Sequence, residues 1–208
     1  MRPVLDFREL NKSVECHTGD DLIDVCAETL REWRQVEGGA EIVDLSAAYL
    51  QLRVSPELWK YQLVQYKGQV YALTRLGFGL NSAPRIMTKV LKTVLNQEPM
   101  IREATSSYID DILVDTTKVG SAHVIEHLNK FGLSAKPAFP LDGGTALGLR
   151  LSRDPAGTLI FGRNGDIPGI GGKLTKRELF SICGRLVGHY PVAGWLRIAC
   201  SFVKRHAE

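Results

Sequence analysis

Residues 107–114 read Ser107-Tyr108-Ile109-Asp110-Asp111-Ile112-Leu113-Val114, so two adjacent aspartates stand between runs of β-branched and aromatic side chains. Such runs are typical of β-strands, and aspartate is a favoured turn residue. A tight β-hairpin explains this pattern, whereas helical periodicity does not. We therefore expect Asp110 and Asp111 at the tip of a hairpin.

A third acid, Asp44, follows the buried-type strand Glu41-Ile42-Val43. Two-metal phosphoryl transfer needs carboxylates that hold two cations about 3.5–4 Å apart. Neighbouring carboxylates repel one another unless a cation offsets their charge, and oxygen ligands without His or Cys favour Mg²⁺ or Mn²⁺. Asp44, Asp110 and Asp111 together therefore predict a site for two such ions, although each alone also fits a turn or a helix cap.

Several patterns predict the local structure around these acids. Asn81 or Ser82 is suited to cap a helix that has Pro84 near its first turn and an apolar face at Ile86, Met87, Val90, Leu91, Val94 and Leu95. Lys67-Gly68 divides two predicted hairpin strands, residues 59–66 and 69–74. Residues 2–8 alternate like a strand, and helical spacing is found over residues 22–33, 119–130, 179–186 and 195–202.

Several motifs together resemble the reverse transcriptases of retroviruses and LTR retrotransposons. Asp44-Leu-Ser-Ala-Ala-Tyr49 is similar to their first palm motif, Phe78-Gly-Leu-Asn-Ser-Ala-Pro84 to the second, and Tyr108-Ile-Asp-Asp111 to the third. Arg2 to Asn11 resembles a fingers segment, and both Lys130 to Lys136 and Leu147-Gly148 resemble later palm motifs. The resemblance covers nearly the whole chain and implies an RNA-directed DNA polymerase, which is a nucleotidyltransferase.

The resemblance implies a catalytic role for five positions. Asp44, Asp110 and Asp111 would bind two Mg²⁺ or Mn²⁺ ions, with the backbone carbonyl of Leu45 as a possible further ligand. Lys136 would donate a proton to the pyrophosphate leaving group, although a plain solvated lysine fits this position about as well.

Further positions would contact the substrates. The resemblance places the incoming deoxynucleoside triphosphate against Arg2, Ala47, Ala48, Tyr49, Phe78 and Gly79. The ring of Tyr49 would be a steric gate that excludes a ribose 2′-hydroxyl. The primer and template would contact Pro84, Tyr108, Leu147 and Gly148.

The fold implied is α+β, a polymerase right hand with a ferredoxin-like antiparallel palm, partial fingers and the start of a helical thumb. The palm would comprise residues 20–52 and 83–152, and the fingers residues 1–19 and the insertion 53–82. A connecting hairpin and loop would follow at residues 153–170, and the turn of this hairpin is predicted at residues 154–157. Residues 171–208 would begin the thumb.

Charge and composition limit the partners. Lys+Arg 26 against Asp+Glu 23 leaves a net charge of +3, so contact with nucleic acid must be local. From residue 173 onward the sequence contains seven basic residues and only two acidic ones. The basic residues are Lys173, Lys176, Arg177, Arg185, Arg197, Lys204 and Arg205, and the acidic ones are Glu178 and Glu208. Four dispersed cysteines and no long apolar run predict an intracellular protein without a membrane segment, in the cytoplasm, a retroelement particle or the nucleus.

The partners expected are an RNA or DNA template with its primer and deoxynucleoside triphosphates. The family resemblance also implies a longer polyprotein with RNase H and integrase. A catalytically inactive remnant that only binds nucleic acid is an alternative reading.

A remote alternative from another class is a zinc peptidase. His123-Val-Ile-Glu126-His127 matches the H-x-x-E-H pattern, in which two histidines bind zinc beside a glutamate base. Such a five-residue match is weak without a recognisable third ligand.

Overall fold

The computed structural model describes residues 6–14, 26–36, 38–163, 172–186 and 193–207. Its helices are α1 Arg8–Ser13, α2 Cys26–Arg34, α3 Ala48–Gln51, α4 Ala83–Leu95, α5 Pro99–Ala104, α6 Ser121–Lys130, α7 Lys176–Leu186 and α8 Trp195–Ala207. Its strands are β1 Ala40–Asp44, β2 Leu63–Tyr66, β3 Gln69–Ala72, β4 Thr105–Tyr108, β5 Asp111–Asp115, β6 Phe139–Pro140, β7 Thr145–Ala146, β8 Leu149–Arg153 and β9 Leu159–Arg163. A 3-10 helix spans Pro56–Tyr61.

The chain divides into two compact units. The first comprises Met1–Asp24 and Glu41–Phe139, and the second comprises Val25–Ala40 and Pro140–Glu208. The division of the chain into palm, fingers and thumb stays a prediction.

A four-stranded sheet in the order β4-β5-β1-β6 lies mainly in the first unit. Strands β4 and β5 form the predicted antiparallel hairpin. One hydrophobic core joins this sheet to helices α4 and α6, and its members include Val43, Ile112, Leu91 and Leu128, all fully buried. Each such side chain stabilises the fold by about 1.5–3 kcal/mol, and together they fix the strand ends that carry the acids.

A second antiparallel hairpin, β2 and β3, also belongs to the first unit and is largely exposed. Lys67 and Gly68 both have positive φ, 50° and 79°, as its two-residue turn requires. A smaller core of the first unit contains Phe7, Leu76, Leu80 and Ala83. Gly77 is needed beside this core because a Cβ there would lie 2.6 Å from the ring of Phe7.

The second unit contains the antiparallel sheet β7-β8-β9, with α2 against β9. Leu149, Leu151 and Leu159 of this sheet are fully buried, as is Trp33 of α2. Helices α7 and α8 pack against each other in the same unit. The expected mixture of helices with antiparallel sheets is therefore confirmed. None of the described helices is long and apolar enough to cross a membrane.

Three details of the local predictions were wrong. The predicted strand over residues 2–8 is not formed where it is described, because a helix begins at Arg8. Residues 59–61 belong to the 3-10 helix that Pro56 starts, and β2 begins only at Leu63. Ile86 was expected on the buried face of α4, yet it is 40% exposed.

Candidate active site

The hairpin tip holds two of the predicted acids. Tyr108 pairs with Asp111 at the last rung, which leaves Ile109 and Asp110 as the turn. Ile109 adopts a positive φ of 55°, a strained conformation for a β-branched residue. Both aspartates are half-buried, and β5, which begins at Asp111, continues directly into the core.

Asp44 lies beside this tip. It is the last residue of β1, and the next residue, Leu45, donates its backbone N–H to the carbonyl of Asp110 at 3.2 Å. This bond ties the end of β1 to the hairpin turn. The structure therefore brings Asp44, Asp110 and Asp111 to the same edge of the sheet.

The electrostatics of the tip are those of crowded carboxylates. Burial raises the pKa of Asp111 to about 6, and the negative charges of Asp110 and Asp44 raise it as well. Burial also raises the pKa of Asp110, with a further contribution from Asp44, while Lys136 opposes both shifts. A cation at this place would relieve the repulsion.

Lys136 supplies such a cation from the chain itself. Its ammonium forms an ion pair with the carboxylate of Asp44, and its backbone N–H donates to the Asp44 carbonyl at 2.8 Å. The hydrogen bond from its ammonium to Asp44 raises the pKa of Lys136. Lys136 thus lies beside Asp44, while its place in an active site and its role as a proton donor stay predictions.

The donor types fit Mg²⁺ or Mn²⁺, since three carboxylates that interact electrostatically offer hard oxygen ligands. Within the described part of the chain, however, no three Asp, Glu, His or Cys side chains are arranged closely enough to form a metal-binding group. Lys136 holds the carboxylate of Asp44 instead. Metal binding would therefore require this ion pair to open or to rearrange.

One aromatic side chain, Tyr49, lies near Asp110, and a second, Phe78, contacts it. The rings of Tyr49, in α3, and Phe78 are 5.7 Å apart between centroids and tilted by 57°. Tyr49 is half-buried, and this burial, with the nearby charge of Asp110, raises the pKa of its hydroxyl. Phe78 is 66% exposed.

The backbone around these rings is unusual. Ala47 has a positive φ of 49° and precedes α3, whose first residue, Ala48, is buried. Gly79 has a φ of 104°, and its carbonyl accepts a hydrogen bond from the Asn11 side chain at 2.9 Å. Local sequence patterns contain no signal for this bond, because it joins residues 68 positions apart.

The remaining predicted contacts are spread over the chain. Pro84 lies in the first turn of α4. Leu147 and Gly148 form the turn between β7 and β8, with positive φ angles of 51° and 74°, in the second unit. Arg2 lies outside the described residues.

The H-x-x-E-H segment has a structural explanation. His127 is buried, and its Nε2 contacts the Val94 carbonyl at 2.9 Å, while Glu126 forms an ion pair with Lys130. His123 Nε2 lies 2.7 Å from Glu98 of α5's N-terminus. These contacts join α6 to the end of α4 and to the start of α5. Glu126 takes no part in them, because it pairs with Lys130.

Solved structures of the foamy viral protease-reverse transcriptase have a similar fold. The complex with an RNA/DNA hybrid matches with a TM-score of 0.68 and 21% identity, over 96% of this chain and 28% of that chain. A dRH form with double-stranded DNA gives 0.67 and 23%, over 90% and 33%. Another double-stranded DNA complex gives 0.66 and 22%, over 89% and 39%.

The chain thus spans less than half the length of the proteins that it resembles, and the likeness shows a retroviral reverse-transcriptase-like fold. A family model described as a domain of unknown function, DUF7047, matches residues 175–208. No curated protein matches the sequence.

Proposed function

We propose that this chain is the polymerase core of an RNA-directed DNA polymerase, which adds deoxynucleotides to a primer 3′-hydroxyl as a template directs. The observation that carries the proposal is the bond between Leu45 and the Asp110 carbonyl, which ties Asp44 to the Asp110-Asp111 tip. In this proposal the sheet β4-β5-β1-β6 is the palm, the β2-β3 hairpin belongs to the fingers, and α7 and α8 begin the thumb.

Each part of the site then has a task. Asp44, Asp110 and Asp111 would hold divalent cations, and Mg²⁺ or Mn²⁺ would supply activation of the primer hydroxyl and charge neutralisation at the leaving pyrophosphate. Lys136 neutralises Asp44 until those cations bind. Tyr49 would contact the sugar of the incoming nucleotide and exclude a 2′-hydroxyl.

The nucleic-acid partner is part of the proposal. The similar foamy viral proteins are described in complexes with an RNA/DNA hybrid or double-stranded DNA. The local basic excess after residue 173 suits phosphate contacts in this chain. We also propose an intracellular setting and a longer polyprotein that carries RNase H and integrase.

Primer extension tests the proposal directly. The 208-residue chain would be incubated with a primed RNA template, the four deoxynucleoside triphosphates and Mg²⁺ or Mn²⁺. Extension is expected for the natural chain and for Asp142→Asn, an exposed control, but not for the Asp110→Asn, Asp111→Asn double variant. Equal extension by the double variant would show that these acids are not the catalytic ones.

A second function, nucleic-acid binding without catalysis, is favoured by two observations. The ammonium of Lys136 is ion-paired with the carboxylate of Asp44. The described acids are also not arranged as a metal-binding group. A folded chain that binds primer and template but extends nothing with either metal would select this function over the polymerase.

A further inference from the structure

Two arginines of the first unit stand directly opposite each other. Arg53 and Arg75 form an isolated antiparallel bridge. The flanking bonds run from the Val54 N–H to the Thr74 carbonyl at 3.1 Å and from the Leu76 N–H to the Leu52 carbonyl at 3.0 Å. The arginines are therefore a non-hydrogen-bonded pair, the arrangement in which opposing side chains lie closest.

This pairing of like charges lacks compensation by acids. Among the described residues, no carboxylate forms an ion pair with Arg53 or Arg75. Arg75 donates one hydrogen bond, from Nη1 to the Gln51 carbonyl at 3.1 Å. Like charges that face each other across a strand pair are destabilising, so an anion between them would be favourable.

The surrounding surface has room for that anion. Arg53 and Arg75 line an open cleft of about 680 Å³, together with Ser55, Thr74 and Trp59. The Trp59 ring is fixed because its Nε1 donates to the Val54 carbonyl at 2.9 Å. Two guanidinium forks, hydroxyl groups and a fixed aromatic wall are the groups that recognise a phosphate carried by a nucleotide.

We propose that Arg53 and Arg75 form a phosphate-binding site separate from the three acids. The phosphate group is the chemistry that the site recognises, and it can belong to a free polyphosphate or to a nucleic-acid strand. The proposal does not rest on the proposed polymerase activity, since binding is measured without divalent metal.

Calorimetric titration in low-salt buffer with EDTA would test the site. One arm uses pyrophosphate, and the other uses single-stranded oligothymidine about ten nucleotides long, within the usual site sizes of single-strand binders. Arg53→Gln should weaken binding of the true ligand by at least about tenfold, as loss of a charged hydrogen-bond donor does. Arg53→Lys should recover only part of it, because lysine lacks the fork.

Arg150→Gln is the matched control, since Arg150 is exposed on β8 and the substitution removes the same charge. Binding by the control should equal that of the natural chain. Loss in the pyrophosphate arm alone assigns a free polyphosphate, and loss in the oligonucleotide arm alone assigns a strand phosphate. Loss in both arms shows that the site accepts phosphate from either source. No binding by the natural chain, or equal binding by Arg53→Gln, overturns the proposal.

A stability measurement gives a second, ligand-free readout. If the arginines repel each other, Arg53→Gln should melt at a higher temperature than the natural chain in low-salt buffer without phosphate. Added pyrophosphate or oligonucleotide should then raise the melting temperature of the natural chain more than that of the variant. A lower melting temperature for Arg53→Gln, with no ligand effect, would assign Arg53 a structural role instead.

Discussion

Asp111 is placed where burial and two neighbouring carboxylates make its negative charge costly. Its folded-state pKa of about 6 lies above the ordinary 3.8. A raised pKa means that the folded chain holds the proton more tightly than the unfolded chain does. This contribution to stability is fully present below about pH 4 and is lost as the pH rises through about 6.

Asp111→Asn should therefore stabilise the metal-free chain at neutral pH. The gain in unfolding free energy should grow between about pH 4 and pH 7 and reach roughly 1–2 kcal/mol, with partial exposure taken into account. Urea unfolding in EDTA at several pH values measures it. Asp142→Asn, the same change at an exposed position, should show no such trend, and a flat difference for Asp111→Asn would refute the explanation.

Under the proposed function, the choice between deoxynucleotides and ribonucleotides depends on Tyr49. Tyr49→Val removes the ring that faces Phe78 and should raise ribonucleotide use relative to deoxynucleotide use by at least about tenfold. Single-nucleotide incorporation assays with both substrates give this ratio. Tyr49→Phe keeps the ring and should leave the ratio unchanged; if Tyr49→Val does the same, Tyr49 is not a gate.

The elements with the strongest patterns were predictable. Strand β1, helix α4 and the β4-β5 hairpin occur where a buried-type apolar run, a proline start and paired apolar runs placed them. Helix α5 was missed because its six residues, Pro99–Ala104, are too few to show a period. The ion pair between Lys136 and Asp44 joins residues 92 positions apart, and local sequence holds no information on such a contact.

Helix α4 allows a test of the fold at the level of one element. Leu91 is fully buried, whereas Ile86 on the same helix is 40% exposed. Leu91→Ala should lower the free energy of unfolding by about 2–5 kcal/mol, and Ile86→Ala by less than about 1 kcal/mol. Urea unfolding of both variants measures the contrast, and equal losses would mean that the helix face is assigned incorrectly.

At the scale of the whole molecule, a net charge of +3 hides a local basic excess in the C-terminal helices. Arg197 and Arg205 of α8 border one small cleft, together with the exposed Ile198 and Phe202. If α8 contacts the nucleic-acid backbone, these arginines would each neutralise a phosphate and release counterions.

Arg197→Gln and Arg205→Gln should each weaken primer-template binding and reduce the slope of log affinity against log salt by about 1. Fluorescence anisotropy over a range of salt concentrations measures the slope. Arg150→Gln again removes one charge and should leave the slope unchanged. A slope that is identical in all three variants would exclude α8 from the interface.

Manganese binding tests most directly whether the three carboxylates form a common cation site. Electron paramagnetic resonance would follow the titration of Mn²⁺ into the natural chain, the Asp110→Asn, Asp111→Asn double variant and the Asp142→Asn control. We expect the natural chain and the control to bind Mn²⁺ equally and the double variant to bind at least about tenfold more weakly. Equal Mn²⁺ affinity in all three proteins would contradict a metal site at Asp44, Asp110 and Asp111.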